Sequence, residues 1–399
     1  MSYKKLGDIV KFISNKNVDG IATILYGINI DKYFMPSVAN TIGVDLKKYK
    51  VVVKNQFACN RMHVGRDKRL PISMSTFDYP FIVSPAYDVF EVTDENVIPE
   101  YLMLWFRRSE FDRQCWFYTD ADVRGGLSLD ALKSIAIRIP SIEKQREIVA
   151  QYQAVANKIK VNEEICEKLE ATAQAIYKEW FVDFEFPNEE GKPYKSSGGK
   201  MVFNQELEKD IPEGWKVKSF TDTIKLTGGG TPSTDVQEYW NGTIPFFTPA
   251  DIQKSYYSIE TIKSITELGL KESSTKLYPK DTVFITARGT VGAIGLSSRD
   301  MAMNQSCYAI KNNLPYYTHQ KTLDVIEKLK GEAVGAVFSA LVTKDFDQQI
   351  ILEPNESIKL NFNNSIKYVY DLLLSKSQEN QKLTQLQSLL LSRLATLEG

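Results

Sequence analysis

The chain is written twice. Leu6-Gly7-Asp8-Ile9-Val10-Lys11-Phe12 returns loosely as Phe220-Thr221-Asp222-Thr223-Ile224-Lys225-Leu226, which maps Asp8 onto Asp222 at an offset of 214. The same offset carries Pro140 onto Pro354. Behind each proline runs a long stretch, residues 141–183 and 355–395, with the pattern of one continuous helix. A solenoid needs at least three stacked units to bury its faces, so two copies predict a pseudo-twofold molecule instead. Each half is then a globular head followed by a long helix.

The helices declare themselves by period. Ile148, Tyr152, Val155, Ile159, Asn162, Cys166, Leu169, Ala173, Ile176 and Trp180 recur at alternating steps of four and three. Phe362, Ile366, Val369, Leu373, Lys376, Asn380, Leu383, Gln387, Leu390 and Leu394 follow the same steps. Such a heptad seam predicts a coiled coil, and about 40 residues at roughly 1.5 Å each give a rod near 60 Å. If the helices pair antiparallel with centres aligned, Asn162 falls one place from Asn380. A buried amide at a seam position fixes register, because any slip leaves it unpaired, so Asn162 and Asn380 are expected to face each other.

The heads mix short β-rich runs, such as 51–53 and 81–83 in the first and 281–286 in the second, with single helices over 99–113 and 317–329. The predicted class is α+β: two globular α/β-mixed heads separated by two long antiparallel coiled-coil helices. The expected boundaries are 1–140 for the first head, 141–185 for the first helix, 186–212 for a connector rich in Pro, Gly, Ser and Lys, 213–353 for the second head and 354–399 for the second helix.

Composition narrows the function. With 399 residues, 43% hydrophobic and 25% charged, the chain can bury real cores. Nothing at the N-terminus resembles a signal peptide and no apolar run approaches the roughly 20 residues of a membrane span, so a cytoplasmic location without membrane contact is expected. Cys59, Cys115, Cys166 and Cys307 lack zinc or disulfide spacing and read as buried thiols. Net charge is −1, yet Lys47, Lys48, Lys50, Lys54, Arg61, Arg66, Lys68 and Arg69 form a basic strip in the first head. Such a run is either a solvated face or a nucleic-acid surface.

Three classes of function compete. For an enzyme, the chain lacks the Asn/Asp-Pro-Pro-Tyr/Phe tetrapeptide of amino-methyltransferases, a GxxxxGK[ST] phosphate loop and a GxGxxG after a strand. Two histidines without a cysteine cluster give metal-centred hydrolysis equally little support. A scaffold binding protein or sugar is separable from a DNA reader by salt titration, since phosphate neutralisation gives a steep slope.

The order of the motifs then resembles one family. Lys4-Lys5-Leu6-Gly7-Asp8-Ile9 and Ile211-Pro212-Glu213-Gly214-Trp215-Lys216-Val217 open the heads, and Thr227-Gly228-Gly229-Gly230-Thr231-Pro232-Ser233 follows in the second. Tyr239-Trp240-Asn241-Gly242-Thr243-Ile244-Pro245-Phe246 and Arg288-Gly289-Thr290-Val291-Gly292 come next in chain order. Ile139-Pro140 with Glu143-Lys144-Gln145, and Trp180-Phe181-Val182-Asp183-Phe184, bracket the first helix. Across essentially the whole chain this resembles the specificity (S) subunit of type I restriction-modification enzymes. The resemblance implies a DNA-binding, non-catalytic subunit of a bacterial defence system, with two target recognition domains that read the two halves of an asymmetric bipartite site in double-stranded DNA. It implies helices that dock two methyltransferase subunits and, through them, restriction subunits. Partner subunits would use S-adenosylmethionine for DNA methylation and ATP with Mg for restriction; no cofactor is expected in this chain. The second copy departs from the pattern at Pro354-Asn355-Glu356-Ser357, which lacks the Glu-x-Gln start of the first helix.

DNA contacts follow from donor geometry. Arginine against guanine is the commonest specific pair, worth about 1–3 kcal/mol. Asn60-Arg61-Met62-His63-Val64-Gly65 aligns with Ala287-Arg288-Gly289-Thr290-Val291-Gly292, and each places an arginine just after a strand. Arg61 and Arg288 are expected at the DNA face, the alternative being a salt bridge within their own heads. Arg66, Lys68 and Arg69 suit phosphates, and His63, Thr231, Ser233, Thr248 and Thr290 could reach phosphates or base edges. The glycines before Thr231 form either a phosphate cradle or an ordinary turn. Ile148, Tyr152, Ile159, Leu169, Trp180, Leu373, Leu383 and Leu390 are the expected partner-docking positions.

Overall fold

One frame recurs in both halves. Ser2–Lys5 pairs antiparallel with Ala136–Ile139, from Ser2↔Ile139 to Lys5↔Ala136. Lys216–Ser219 pairs in the same sense with Ile350–Glu353, from Lys216↔Glu353 to Ser219↔Ile350. Every position of the second ribbon lies 214 beyond its counterpart in the first. The helices Leu129–Ser134 and Thr343–Asp347 before the closing strands, and the long helices Ile142–Phe181 and Glu356–Arg393 after them, also begin 214 apart. Pro140 and Pro354 stop each closing strand, because proline has no N–H to give a ladder.

The computed structural model describes residues 2–38, 43–119, 125–332 and 340–394, the side chains of Ser2 and His63 excepted. The chain divides into two units, Met1–Lys158 with Leu383–Gly399, and Ile159–Lys382. In the first, Val10–Ile13, Asp88–Val92, Phe57–Cys59 and Ile72–Met74 form an antiparallel sheet in that spatial order. In the second, Leu226–Gly228, Cys307–Ile310, Val283–Thr286 and Ile294–Ser297 repeat the order and sense, and Tyr257–Ser258 adds a parallel edge. Each is a mixed α/β unit.

The first sheet is held by aromatics. Phe57 stacks on Phe90 at 5.0 Å and Phe106 meets Phe57 edge-on at 5.7 Å. The second unit adds a three-stranded sheet ordered Lys263–Ile265, Trp240–Phe247, Ala302–Met303. All four cysteines are free and buried, Cys59 and Cys115 in the first unit, Cys166 and Cys307 in the second.

Several elements depart from the pattern read in the sequence. The helix expected over 99–113 is two, Pro99–Phe106 and Ser109–Phe117. Arg108 breaks it with extended backbone (φ −70°, ψ 140°) and lays its guanidinium 4.3 Å over the Trp105 ring. The strand expected from Asp281 starts at Val283, since Asp281 itself turns through φ +64°. The helix expected over 317–329 runs Pro315–Glu332. Within 186–212, Met201–Asn204 pairs with Lys209–Pro212, and Phe186 stacks between Tyr194 (4.5 Å) and Trp215 (5.5 Å).

The long helices pack against each other in both units. In the first, Ile148, Val149 and Tyr152 share a core with Leu391 and Leu394. In the second, Asn162 bonds to Asn380, whereas Trp180 and Phe181 meet Phe362 at 5.5 and 4.9 Å. Low numbers meet high numbers in both, so the pairing is antiparallel. Among the described residues no helix is long and apolar enough to cross a membrane.

Candidate nucleic-acid interface

The third strand of each four-strand order ends two residues before an arginine: Phe57–Cys59 before Arg61, and Val283–Thr286 before Arg288. Their surroundings differ. Asn60 caps a short 3-10 turn, accepting from Met62 N at 3.1 Å, and the turn leads straight into Val64–Asp67. Arg61 folds back over this turn. Its Nε donates to Asp88 at 2.5 Å, its Nη1 donates to the Leu127 carbonyl, and its side chain is 23% exposed. The salt-bridge alternative is therefore the one realised at Arg61. Arg288 instead stands exposed and makes no hydrogen bond or ion pair among the described residues. Its loop closes through Gly292 N on the Thr286 carbonyl at 2.8 Å. Gly289 (φ +80°) and Gly292 (φ +72°) supply the left-handed backbone that so tight a return requires. Thr290 is exposed on the same loop, its carbonyl accepting from the Thr286 hydroxyl.

The basic strip is partly neutralised. Arg66 pairs with its neighbour Asp67 at 2.7 Å, and Arg69 with Asp31 at 3.0 Å, both remaining more than half exposed. Lys68 is exposed and sets its ammonium 4.9 Å from the Trp116 ring centre, a cation–π contact. The His63 side chain lies outside the described residues. The run Trp116-Phe117-Tyr118 lies beside this strip and was not expected there, and its Phe117 is 80% exposed. Three aromatics in a row at the end of a charged helix were the available signal.

In the second unit the glycine run is a packed turn. Gly230 N donates to the Met303 carbonyl at 3.1 Å, and a Cβ on Gly229 would lie 2.1 Å from the Asn304 carbonyl. These glycines are needed for close backbone approach, and the N–H groups of Gly229 and Gly230 are already bound to the Cys307 and Met303 carbonyls. Thr231 bonds to Gln305, and Thr248 caps a turn through Asp251 at 2.6 Å. Both hydroxyls are thus engaged by their own unit. Ser233 is exposed, its carbonyl accepting from Trp240 Nε1 at 2.9 Å. The structure brings Arg288 and Thr290 together on one loop and sets Lys68 and Arg69 on one cleft of the first unit.

On the helices, Asn162 Nδ2 donates to Asn380 Oδ1 at 2.9 Å, and Asn380 Nδ2 donates to the Ile159 carbonyl at 3.3 Å. Of the eight expected docking positions, five pack on the cores of their own units: Ile148 and Tyr152 in the first, Leu169, Trp180 and Leu373 in the second. Ile148, Tyr152 and Leu373 are buried, and Ile159, Leu169, Trp180, Leu383 and Leu390 are half-buried. A heptad seam closes on whatever apolar surface is nearest, and here that is the partner helix and the unit's own core. The apolar residues the long helices expose are Val161, Leu360, Tyr368, Leu386 and Leu389. Among the described residues no cluster of His, Cys, Asp or Glu could hold a metal ion.

Known proteins share this organisation. The family model for the type I restriction modification DNA specificity domain matches residues 2–171 and 212–385, once in each half. The specificity subunit of the type I restriction enzyme HindI of Haemophilus influenzae is 24% identical over 453 residues, spanning 98% of this chain and 97% of that protein. The MjaIX specificity subunit of Methanocaldococcus jannaschii is 30% identical over 187 residues, 44% of this chain and 42% of its own. Among solved structures, the S subunit of the type I restriction-modification system of M. genitalium superposes with a TM-score of 0.57 at 11% identity, over 98% of this chain and 95% of that one. That likeness is one of fold.

Proposed function

Because the chain belongs to the type I restriction-modification DNA specificity family and is a specificity subunit, we propose that its two units read the two halves of an asymmetric, bipartite DNA target. Catalysis resides in the partner subunits of such an enzyme. The observation that carries the reading is Arg288: an exposed guanidinium with no partner among the described residues, on a loop with two left-handed glycines at the end of a central strand, beside Thr290. Its planar fork is free to meet guanine O6 and N7, while Arg61, at the matching strand end, is spent on Asp88. The two units would therefore read unlike half-sites by unlike means. In the first unit, exposed Arg66, Lys68 and Arg69 would position the duplex through its phosphates.

Two methyltransferase subunits would dock on exposed apolar side chains of the long helices, Val161, Leu360 and Tyr368 in the second unit and Leu386 and Leu389 in the first. Those partners would bind S-adenosylmethionine and flip the target adenine, and restriction subunits would join through them with ATP and Mg. The Asn162–Asn380 pair would hold the helices in register.

Single-molecule methylation sequencing of DNA from cells carrying this chain with its neighbouring methyltransferase subunit tests the reading. A split, asymmetric adenine motif should appear only when both are present. Arg288→Ala should relax or abolish one half of that motif, and equal loss at both halves would overturn the role given to Arg288.

A further inference from the structure

A cleft of about 420 Å³ opens in the first unit, among the loop carrying Lys32, the segment Lys68-Arg69 and the helix Ser109–Phe117. The long helices contribute Tyr152 and Leu391 to its wall. Five cations line it, Lys32, Lys68, Arg69, Arg107 and Arg113, against two carboxylates, Asp31 and Asp112. Both carboxylates are already committed. Asp112 accepts from Lys32 Nζ at 2.8 Å and from Leu70 N at 3.1 Å, and Asp31 pairs with Arg69 at 3.0 Å. Arg113 leans on Glu110 at 3.2 Å.

That leaves Lys68 and Arg107 with no carboxylate partner among the described residues. Arg107 is exposed, and its Nη1 donates to the Tyr152 hydroxyl at 3.3 Å, which ties the guanidinium to the long helix. Lys68 is held over Trp116. Lys32 and Lys68 both adopt left-handed backbone, φ +68° and +54°. Non-glycine residues rarely take that conformation, and strain of this kind collects where the chain clamps a ligand.

We propose that this cleft is a phosphate seat, with Arg107 and Lys68 as its two anion-binding cations, and that its occupant is a phosphodiester of bound DNA. The proposal rests on the DNA-specificity reading above: it gives the phosphate contact of Lys68 a defined seat and adds Arg107 to it, without sequence information. An arginine fork and an ammonium suit one anionic oxygen pair, and the net positive charge of the wall would draw a polyanion toward it. Through the Arg107–Tyr152 bond, a phosphate here would be sensed at the helix as well as in the head.

The test uses the whole complex with its methyltransferase subunits, titrated by fluorescence anisotropy with target and scrambled duplexes across a range of salt. Each phosphate contact contributes about 0.9 to the slope of log affinity against log salt. The double variant Lys68→Gln with Arg107→Gln should lose close to two such increments and keep the ratio of target to scrambled affinity. Arg107→Lys, which keeps the charge, should recover part of the slope. An unchanged slope in the double variant overturns the proposal. If the wild-type complex fails to distinguish the two duplexes, the specificity reading falls, while the slope difference still decides the cleft. Tripolyphosphate, measured by calorimetry, separates the sources: loss of its binding in the double variant, with the DNA slope intact, would mean the seat takes a free phosphate compound and would overturn the DNA assignment.

Discussion

The two units share strands and differ in charge. At the start of the first long helix, Gln145 is fully buried and neutral. Its Oε1 accepts from Ile98 N at 2.8 Å, and its Nε2 donates to the carbonyls of Asn96 (2.7 Å) and Pro140 (2.8 Å). At the position 214 further on stands Lys359, also buried, bonded to Glu353 and Glu356 at 2.5 Å each. Glu353 takes a second buried lysine, Lys321, at 2.5 Å. One frame is thus closed by an amide in the first unit and by a cluster of ions in the second. The amide's job of accepting from a helix N-terminus falls instead to Asn363, whose Oδ1 receives Tyr316 N and Tyr317 N at 3.0 and 3.3 Å. An amide keeps its bonds at any ordinary pH. Buried ions keep theirs only while each partner stays charged, and burial pulls the Lys321 ammonium down to about 8 even though Glu353 supports it.

The sharpest way to break this contrast is Glu353→Gln. It strands the buried Lys321 and leaves Lys359 with Glu356 alone, and removing one partner of a buried pair costs about 3–5 kcal/mol. Chemical denaturation should show the second unit unfolding at lower denaturant, and an unmoved midpoint would mean the ions are solvated. Gln145→Ala should cost less, about 1–3 kcal/mol, because it leaves one N–H and two carbonyls unsatisfied without an unpaired charge. Amide exchange at the start of Pro99–Phe106 would report that loss.

Acid should separate the units further. His319 is fully buried, its Nδ1 shares a hydrogen bond with the Tyr370 hydroxyl at 2.8 Å, and burial lowers its pKa to about 3. Below about 6.5 the unfolded chain binds a proton there that the folded chain refuses until about 3. Stability therefore falls as pH drops through that window, by up to about 1.4 kcal/mol per pH unit. His319→Gln should flatten the slope, which urea titrations at several pH values would measure; an identical slope would place the sensitivity elsewhere. The smallest effect on stability belongs to Arg288→Ala, within about 0.5 kcal/mol for an exposed, unpaired side chain. Arg61→Ala should exceed it, since Asp88 and the Leu127 carbonyl lose their donor, and equal melting of the two variants would erase the difference between the loops.

What the sequence disclosed was what repeats or what is periodic. The heptad steps mark the buried face of both helices because a 3.5-residue period is a local property, visible without knowing the partner. The register argument paired Asn162 with Asn380, whose amides stand 2.9 Å apart. The same seam leaves docking open: a period says that a face is covered and not by what, and Ile148 and Leu373 are buried in the cores of their own units. Arg61 and Arg288 sit at matching strand ends and look alike in sequence. Only folding brings Asp88 and Leu127, far along the chain, onto one of them. The helix break at Arg108 was hidden for a related reason, because the pull of the Trp105 ring does not register in helix propensity.

The four thiols have a use beyond packing. Burial raises the pKa of each, so a folded molecule offers a thiol reagent almost no thiolate. Labelling must wait for the surrounding core to open. Cys59 and Cys115 keep time for one unit, Cys166 and Cys307 for the other. The natural chain thus carries its own pair of clocks, and the order in which they start would tell which half breathes first.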